Sequence, residues 1–198
     1  APAWQAMLKI LGRSTTEAVD KCAAELEGDP NVWTSERKSA LLVLLERKAQ
    51  AENKPDKLHE ARAELFGLYV DSGEGAKAVE YSTLLWEAAK DGAEKHRTTA
   101  ALMQTCFVSA EPPVDLIGAI LERHLLVEDL VPESPIVKTI DAFLDSPPAT
   151  ADPNAVLARL RQIQIKEPES RKVWRKQLLE WETFAKARHP EPTEKVSN

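Results

Sequence analysis

A chain of 198 residues is long enough to bury about 70% of the surface its unfolded form exposes, so its core requires no disulfide or metal staple. A net charge of −6 argues against a general nucleic-acid binder, although it leaves room for a local basic patch. The longest apolar run, residues 40–45, falls far short of the roughly 20 residues that a bilayer span needs.

The chain opens Ala-Pro-Ala-Trp without a methionine, which fits a removed signal peptide, an excised piece of a longer protein or simple methionine removal; the compartment, cytoplasmic or extracytoplasmic, stays open. Residues 4–11 form a short amphipathic segment that Gly12-Arg13 breaks. Ser14-Thr15-Thr16-Glu17 then has the Ser-x-x-Glu form of a capping box and predicts a helix to about Glu27. Gly28-Asp29-Pro30-Asn31 closes it, a C-terminal glycine followed by a proline that cannot continue the helix. Trp33 is placed to staple the next helix, which starts at Thr34 or Ser35, runs to about Glu52 and carries Leu41, Leu42, Val43, Leu44 and Leu45 in succession. A helix apolar nearly all round is buried on several sides, so this should be the most enclosed helix of the N-terminal half. Its charged end, from Glu46 to Lys54, should project into solvent before Pro55 restarts the chain.

Residues 59–92 are organised as two helices folded back through the corner Asp71-Ser72-Gly73-Glu74-Gly75. Leu65, Leu68, Tyr69 and Ser72 ahead of the corner share one helical face, as do Ala78, Val79, Leu84 and Leu85 behind it. Gly73 and Gly75 can adopt left-handed backbone without a Cβ penalty. A helix over 93–109 presents Ala100, Met103, Cys106 and Phe107 for burial. Pro112-Pro113 opens another, running to about Glu128 with Leu116, Ile117, Ile120, Leu121 and Leu125 inside. A linker at 131–135, a short helix over 135–144 and a Pro-rich loop at 146–151 follow. Asp152-Pro153, a cap then a proline, starts a helix to about Ile165. The last helix, 169–189, aligns Trp174, Leu178, Trp181 and Ala185 along one stripe, and the tail over 190–198 is too polar and proline-rich to pack and should be disordered. No segment sustains the two-residue period of a strand, so the fold class is all-α.

The 59–92 hairpin resembles the tetratricopeptide repeat (TPR). Leu65, Tyr69, Gly73, Ala78 and Tyr81 stand where that pattern has Leu, Tyr, Gly, Ala and an aromatic, while Phe66 replaces its usual small residue and Arg62 its usual Trp. Residues 17–31 are similar to the second helix and closing loop of such a unit, with Ala18 as the small residue and Pro30 as the closing proline. The helix over 34–52 lies between these matches and breaks the even parity of a strict array, so either one helix is extra or one match is accidental. The resemblance implies a single degenerate domain over 1–189, a right-handed stack of antiparallel helix hairpins (a TPR-like α-solenoid), with the long final helix as its cap. It also implies a concave partner-binding face lined by Glu60, Ala63, Gly67, Val70 and Asp71, then by Glu94, Arg97, Ala101, Gln104 and Thr105 of the following helix. Ala63, Gly67 and Ala101 would let a peptide or partner helix approach the backbone, or else serve as ordinary helix-packing residues. Family members that clamp a C-terminal carboxylate carry lysine and asparagine where this chain has Ala63 and Gly67, so that co-chaperone role is not expected.

Reactive chemistry finds little support. His59, His96, His124 and His189 fall on four elements with no His-x-x-x-His or Cys-x-x-Cys spacing, so exposed or hydrogen-bonded histidines are expected and no metal or cofactor. Cys22 and Cys106, far apart in apolar helical stretches, read as buried thiols without a neighbouring base. Gly73-Glu74-Gly75 lacks the third glycine, lysine and preceding strand of a phosphate loop. Carboxylate pairs such as Glu80 with Glu87, Glu111 with Asp115 and Glu128 with Asp129 are what 32 acidic residues produce by chance. The run Arg171-Lys172-Val173-Trp174-Arg175-Lys176 has a composition that grips phosphates and stacks on bases, yet helical spacing sends Trp174 to the buried stripe and leaves the charges solvated. The expectation is therefore a non-enzymatic scaffold or adaptor for a protein or peptide. The alternatives are a purely structural domain of a larger protein, with Trp174 or Trp181 marking the lost interface, and nucleic-acid or anionic-surface binding through 171–176.

Overall fold

The computed structural model describes residues 2–27, 33–109, 111–126, 130–166 and 168–188. Among these the chain forms ten helices and no strand: α1 (Pro2–Leu11), α2 (Thr16–Glu27), α3 (Ser35–Ala51), α4 (Pro55–Asp71), α5 (Gly75–Ala88), α6 (Gly92–Val108), α7 (Val114–His124), α8 (Pro135–Asp145), α9 (Pro153–Arg161) and α10 (Pro168–Arg188). The expected closing loop at 28–31, the Glu128–Asp129 pair, His189 and the tail over 190–198 lie outside the described residues. No helix is long and apolar enough to cross a membrane. The helices group into two compact units, Ala1–Ala88 and Ala89–Asn198.

Local chemistry starts most helices. Thr34, Asp91, Ser134 and Asp152 each accept a hydrogen bond from a backbone N–H one turn or less ahead, which satisfies donors that a helix start leaves orphaned. Prolines at the first positions of α4, α8 and α9 forfeit only an N–H that would be orphaned anyway. The capping box at 14–17 is shifted by one residue. Ser14 donates its hydroxyl back to Ile10 O at 3.1 Å, and Thr15 Oγ1 accepts from Ala18 N at 3.4 Å. Glu17 turns outward to Lys54, and the carboxylate of Glu52 caps Thr16 N at 3.1 Å instead.

In the first unit α2, α3, α4 and α5 pack in succession. Leu11, Val19, Leu41, Leu45 and Ala61 form a core against which Trp4, Met7, Leu8, Trp33 and Leu44 pack. Of the five-residue apolar run, Leu41, Leu42 and Leu45 are buried and Val43 and Leu44 half-buried. Flanked by α3 and α5, α4 buries the larger set, Ala61, Leu65, Phe66, Tyr69 and Val70, so it rather than α3 is the more enclosed. The far end of α3 does not simply project into solvent either: Glu46 points inward, and Lys54 bridges Glu17 and Glu52. At the α4–α5 corner Gly73 takes left-handed backbone, φ +72°, whereas Gly75 opens α5 with ordinary geometry; the second left-handed residue of this unit is Asn53, φ +53°, between α3 and α4.

In the second unit α6 packs on α7 and α8, α7 on α9, and both α8 and α9 on α10. Met103, Ile117, Ile120, Ile140 and Leu160 are fully buried between them. Two helices end earlier than their sequence suggests. The α7 helix stops at His124 because Leu125 turns to extended backbone, and α9 stops at Arg161, after which Ile163 is buried from a non-helical segment. The apolar side chains at 125 and 163 continue the helical pattern by eye, but they serve the core from outside a helix.

Candidate functional site

Within the first unit a polar node joins three helices. Glu46 of α3 accepts from Arg62 Nε of α4 at 2.9 Å and from the Tyr81 hydroxyl of α5 at 2.8 Å, tying three helices at one carboxylate. The Glu46 and Arg62 side chains are only 12% and 15% exposed, so water screens the pair weakly. Burial, and then the hydrogen bond to Glu46, hold the Tyr81 phenol well above its ordinary range. Its ring lies 5.4 Å from that of Tyr69, which carries Lys77 over its face at 4.8 Å. The departure from the repeat pattern at Arg62 thus has a physical partner on the preceding helix. A shallow depression beside this cluster, lined by Ser35, Glu36, Ser39, Leu68, Ser72, Glu74 and Lys77, is polar and mixed in charge.

A groove of about 480 Å³ runs between α6 and α8, lined by Gln104, Phe107 and Val108 on one wall and Lys138, Thr139, Ala142 and Phe143 on the other, with Ser146 and Pro148 at its end. Phe107 and Phe143 form its floor, stacked with ring centroids 4.3 Å apart and planes 13° from parallel. Val108 stands at its edge 71% exposed, although it is fully apolar. Lys138 has no ion-pair partner among the described residues and supplies a cation at the rim.

The expected partner-binding residues divide. Glu60, Ala63 and Asp71 are exposed and Gly67 half-buried along one stripe of α4, with Glu60 paired to Lys57 at 2.8 Å. Val70 is removed from that stripe: at 5% exposure its side chain belongs to the core of α4. On α6, Arg97, Ala101 and Gln104 are all exposed at spacings of four and three, and Gln104 enters the groove. Val108 continues this stripe by four more residues and was missed, as were Phe143 and Lys138. The helical period that connects 97, 101 and 104 reaches 108 as well, whereas the opposite wall comes from a helix whose place beside α6 no local pattern announces.

The groups that sequence reasoning tested for chemistry divide between enclosed ones, Cys106 and His124, and exposed ones such as His59, Glu80, Glu87, Glu111 and Asp115. Cys106 is buried, which pushes its thiol up to about 12, and desolvation also raises that of the half-buried Cys22. His124 is not solvent-facing; burial, and then the neighbouring Arg123 charge, bring its pKa down to about 4. Among the described residues no three His, Cys, Asp or Glu side chains converge on a metal-sized site. Trp174 and Trp181 are each 2% exposed, in edge-to-face contact at 5.8 Å, and Trp181 Nε1 donates to Asp141 Oδ1 at 2.8 Å. Neither offers aromatic area to a lost interface.

Comparison with family models, with curated proteins and with solved structures found no match to this chain. The functional reading rests on the geometry alone.

Proposed function

We propose that this chain is a non-enzymatic protein-interaction module, a scaffold or adaptor that holds a short amphipathic segment of a partner protein in the α6–α8 groove. The observation that carries the reading is the exposed Val108 beside the stacked Phe107–Phe143 floor, because an apolar side chain left in water at the mouth of an apolar groove gains by being covered. An aliphatic or aromatic anchor would fill the groove, and an acidic residue beside it would meet Lys138. The packing order of the second unit, in which α6 contacts α8, α7 contacts α9 and α10 closes on both, supports an architecture of stacked antiparallel hairpins with α10 as cap, similar to a degenerate TPR-like solenoid.

The test is a parallel affinity capture with the wild type, Val108→Glu and Gly67→Arg. The reading expects the same partner from wild type and Gly67→Arg and its loss with Val108→Glu. Loss with Gly67→Arg alone would move the site to the α4 stripe, and equal recovery by all three would sink both assignments.

A further inference from the structure

The basic run at 171–176 has a second face. Where the non-helical segment 163–166 passes the start of α10, a cavity of about 380 Å³ opens, and its walls include Arg161, Lys166, Arg171 and Arg175 but no described acidic side chain. Arg161 is neutralised by Glu182. The other three cations have no carboxylate within ion-pair distance among the described residues. Arg171 is also fixed in place: its Nε donates to Ile165 O at 3.0 Å and Nη2 to Lys166 O at 3.2 Å, so the guanidinium is oriented before any ligand arrives. It stands one turn into α10, where the positive pole of the helix adds to its charge instead of offsetting it. Apolar wall is supplied by Ile163, Leu178 and Trp174, and the buried Trp174 Nε1–H has no hydrogen-bond acceptor among the described residues.

Three cations without a carboxylate partner among the described residues line one cavity, and the positive potential they share there favours an anionic ligand. We propose that this cavity binds a small soluble organic phosphate, a monoester or pyrophosphate whose oxygens meet Lys166, Arg171 and Arg175 while its apolar body lies against Trp174 and Leu178. A single carboxylate would leave two of the three charges unanswered, whereas a phosphate dianion or a pyrophosphate group matches them, and oriented guanidinium forks suit its oxygens. A nucleic-acid strand is disfavoured by the neighbours. Lys172 and Lys176, which would have to extend the cations into a backbone track, are instead tied to Glu169 at 2.7 Å and Glu180 at 3.8 Å.

The experiment titrates the full chain with inorganic pyrophosphate at constant ionic strength and follows the indole N–H signals of its five tryptophans. The proposal expects one signal, absent in Trp174→Phe, to shift saturably. Arg171→Gln and Arg175→Gln, at exposed positions on a helix whose buried stripe they do not touch, should each weaken binding by about tenfold, and Lys172→Gln by no more than about twofold. A non-saturating shift, or equal weakening by Lys172→Gln, would show only diffuse charge and overturn it. So would retention on single-stranded DNA or on phosphatidic acid vesicles with no response to pyrophosphate, in favour of a strand or a membrane surface.

Discussion

The two units join their helices with different polar chemistry, the first through one shared carboxylate and the second through separate pairs. In the first, the carboxylate of Glu46 is pulled between α3, α4 and α5 and satisfied there by Arg62 and Tyr81, and the surface cations Lys54, Lys57 and Lys77 are each paired with nearby carboxylates. In the second, the polar contacts between helices are separate pairs, Trp181 with Asp141 and Arg159 with Glu122, and Val108, Lys138, Lys166, Arg171 and Arg175 stand at the edges of cavities without a matching partner among the described residues. Apolar edges and cations left unmatched at a cavity are where a ligand would gain most by binding.

The largest expected effect lies in the second unit. Phe143→Ala removes half of the stacked pair and leaves a cavity, which should cost about 3–5 kcal/mol in urea unfolding. A loss below about 1 kcal/mol would mean that the floor collapses freely and that the groove is not held open by packing.

The first unit should respond differently to single and triple changes. Glu46→Ala strands Arg62 and the Tyr81 hydroxyl and should cost about 2–3 kcal/mol, while Glu46→Leu with Arg62→Leu and Tyr81→Phe should recover most of it, since replacing every member of an enclosed polar node by apolar groups is close to neutral. If the triple variant is as damaged as the single one, the node specifies the α3–α4–α5 arrangement beyond its pair energies.

Acid should reach the second unit through His124. The folded chain keeps this imidazole neutral down to about pH 4, whereas an exposed histidine gains its proton near 6.5. The unfolded state therefore binds the proton first, so this contribution is complete above about pH 6.5 and is lost as pH falls toward 4. The loss should be on the order of 2–3 kcal/mol by urea unfolding across that window, and His124→Gln should flatten the slope there. An unchanged slope would assign the acid sensitivity to carboxylates instead.

How much of this was legible beforehand follows from the range of the interactions. Capping residues and helix prolines act over one turn, so Thr34 and Asp152 announce their helices in the sequence, whereas the caps Asp91 and Ser134 emerge only with the structure. The position of the Ser14–Glu17 cap slipped by one because its partner, Glu52, is 36 residues away. Arg62 looked like a flaw in a repeat until Glu46, 16 residues earlier, came beside it. Gln104 was found because its stripe on α6 is local; Phe143 was not, because only the packing of α8 on α6 makes it a floor. The Arg171–Lys176 run was visible as charge, and the pairing of Lys172 with Glu169 and of Lys176 with Glu180 is local; the cavity that gathers Arg171 and Arg175 depends on where the 163–166 segment passes.

The most direct measurement of the central claim is hydrogen–deuterium exchange on the full chain with and without its captured partner. The α6–α8 groove account predicts new protection confined to residues 104–108 and 138–146. Protection along 60–71 of α4, with the groove unchanged, would contradict it.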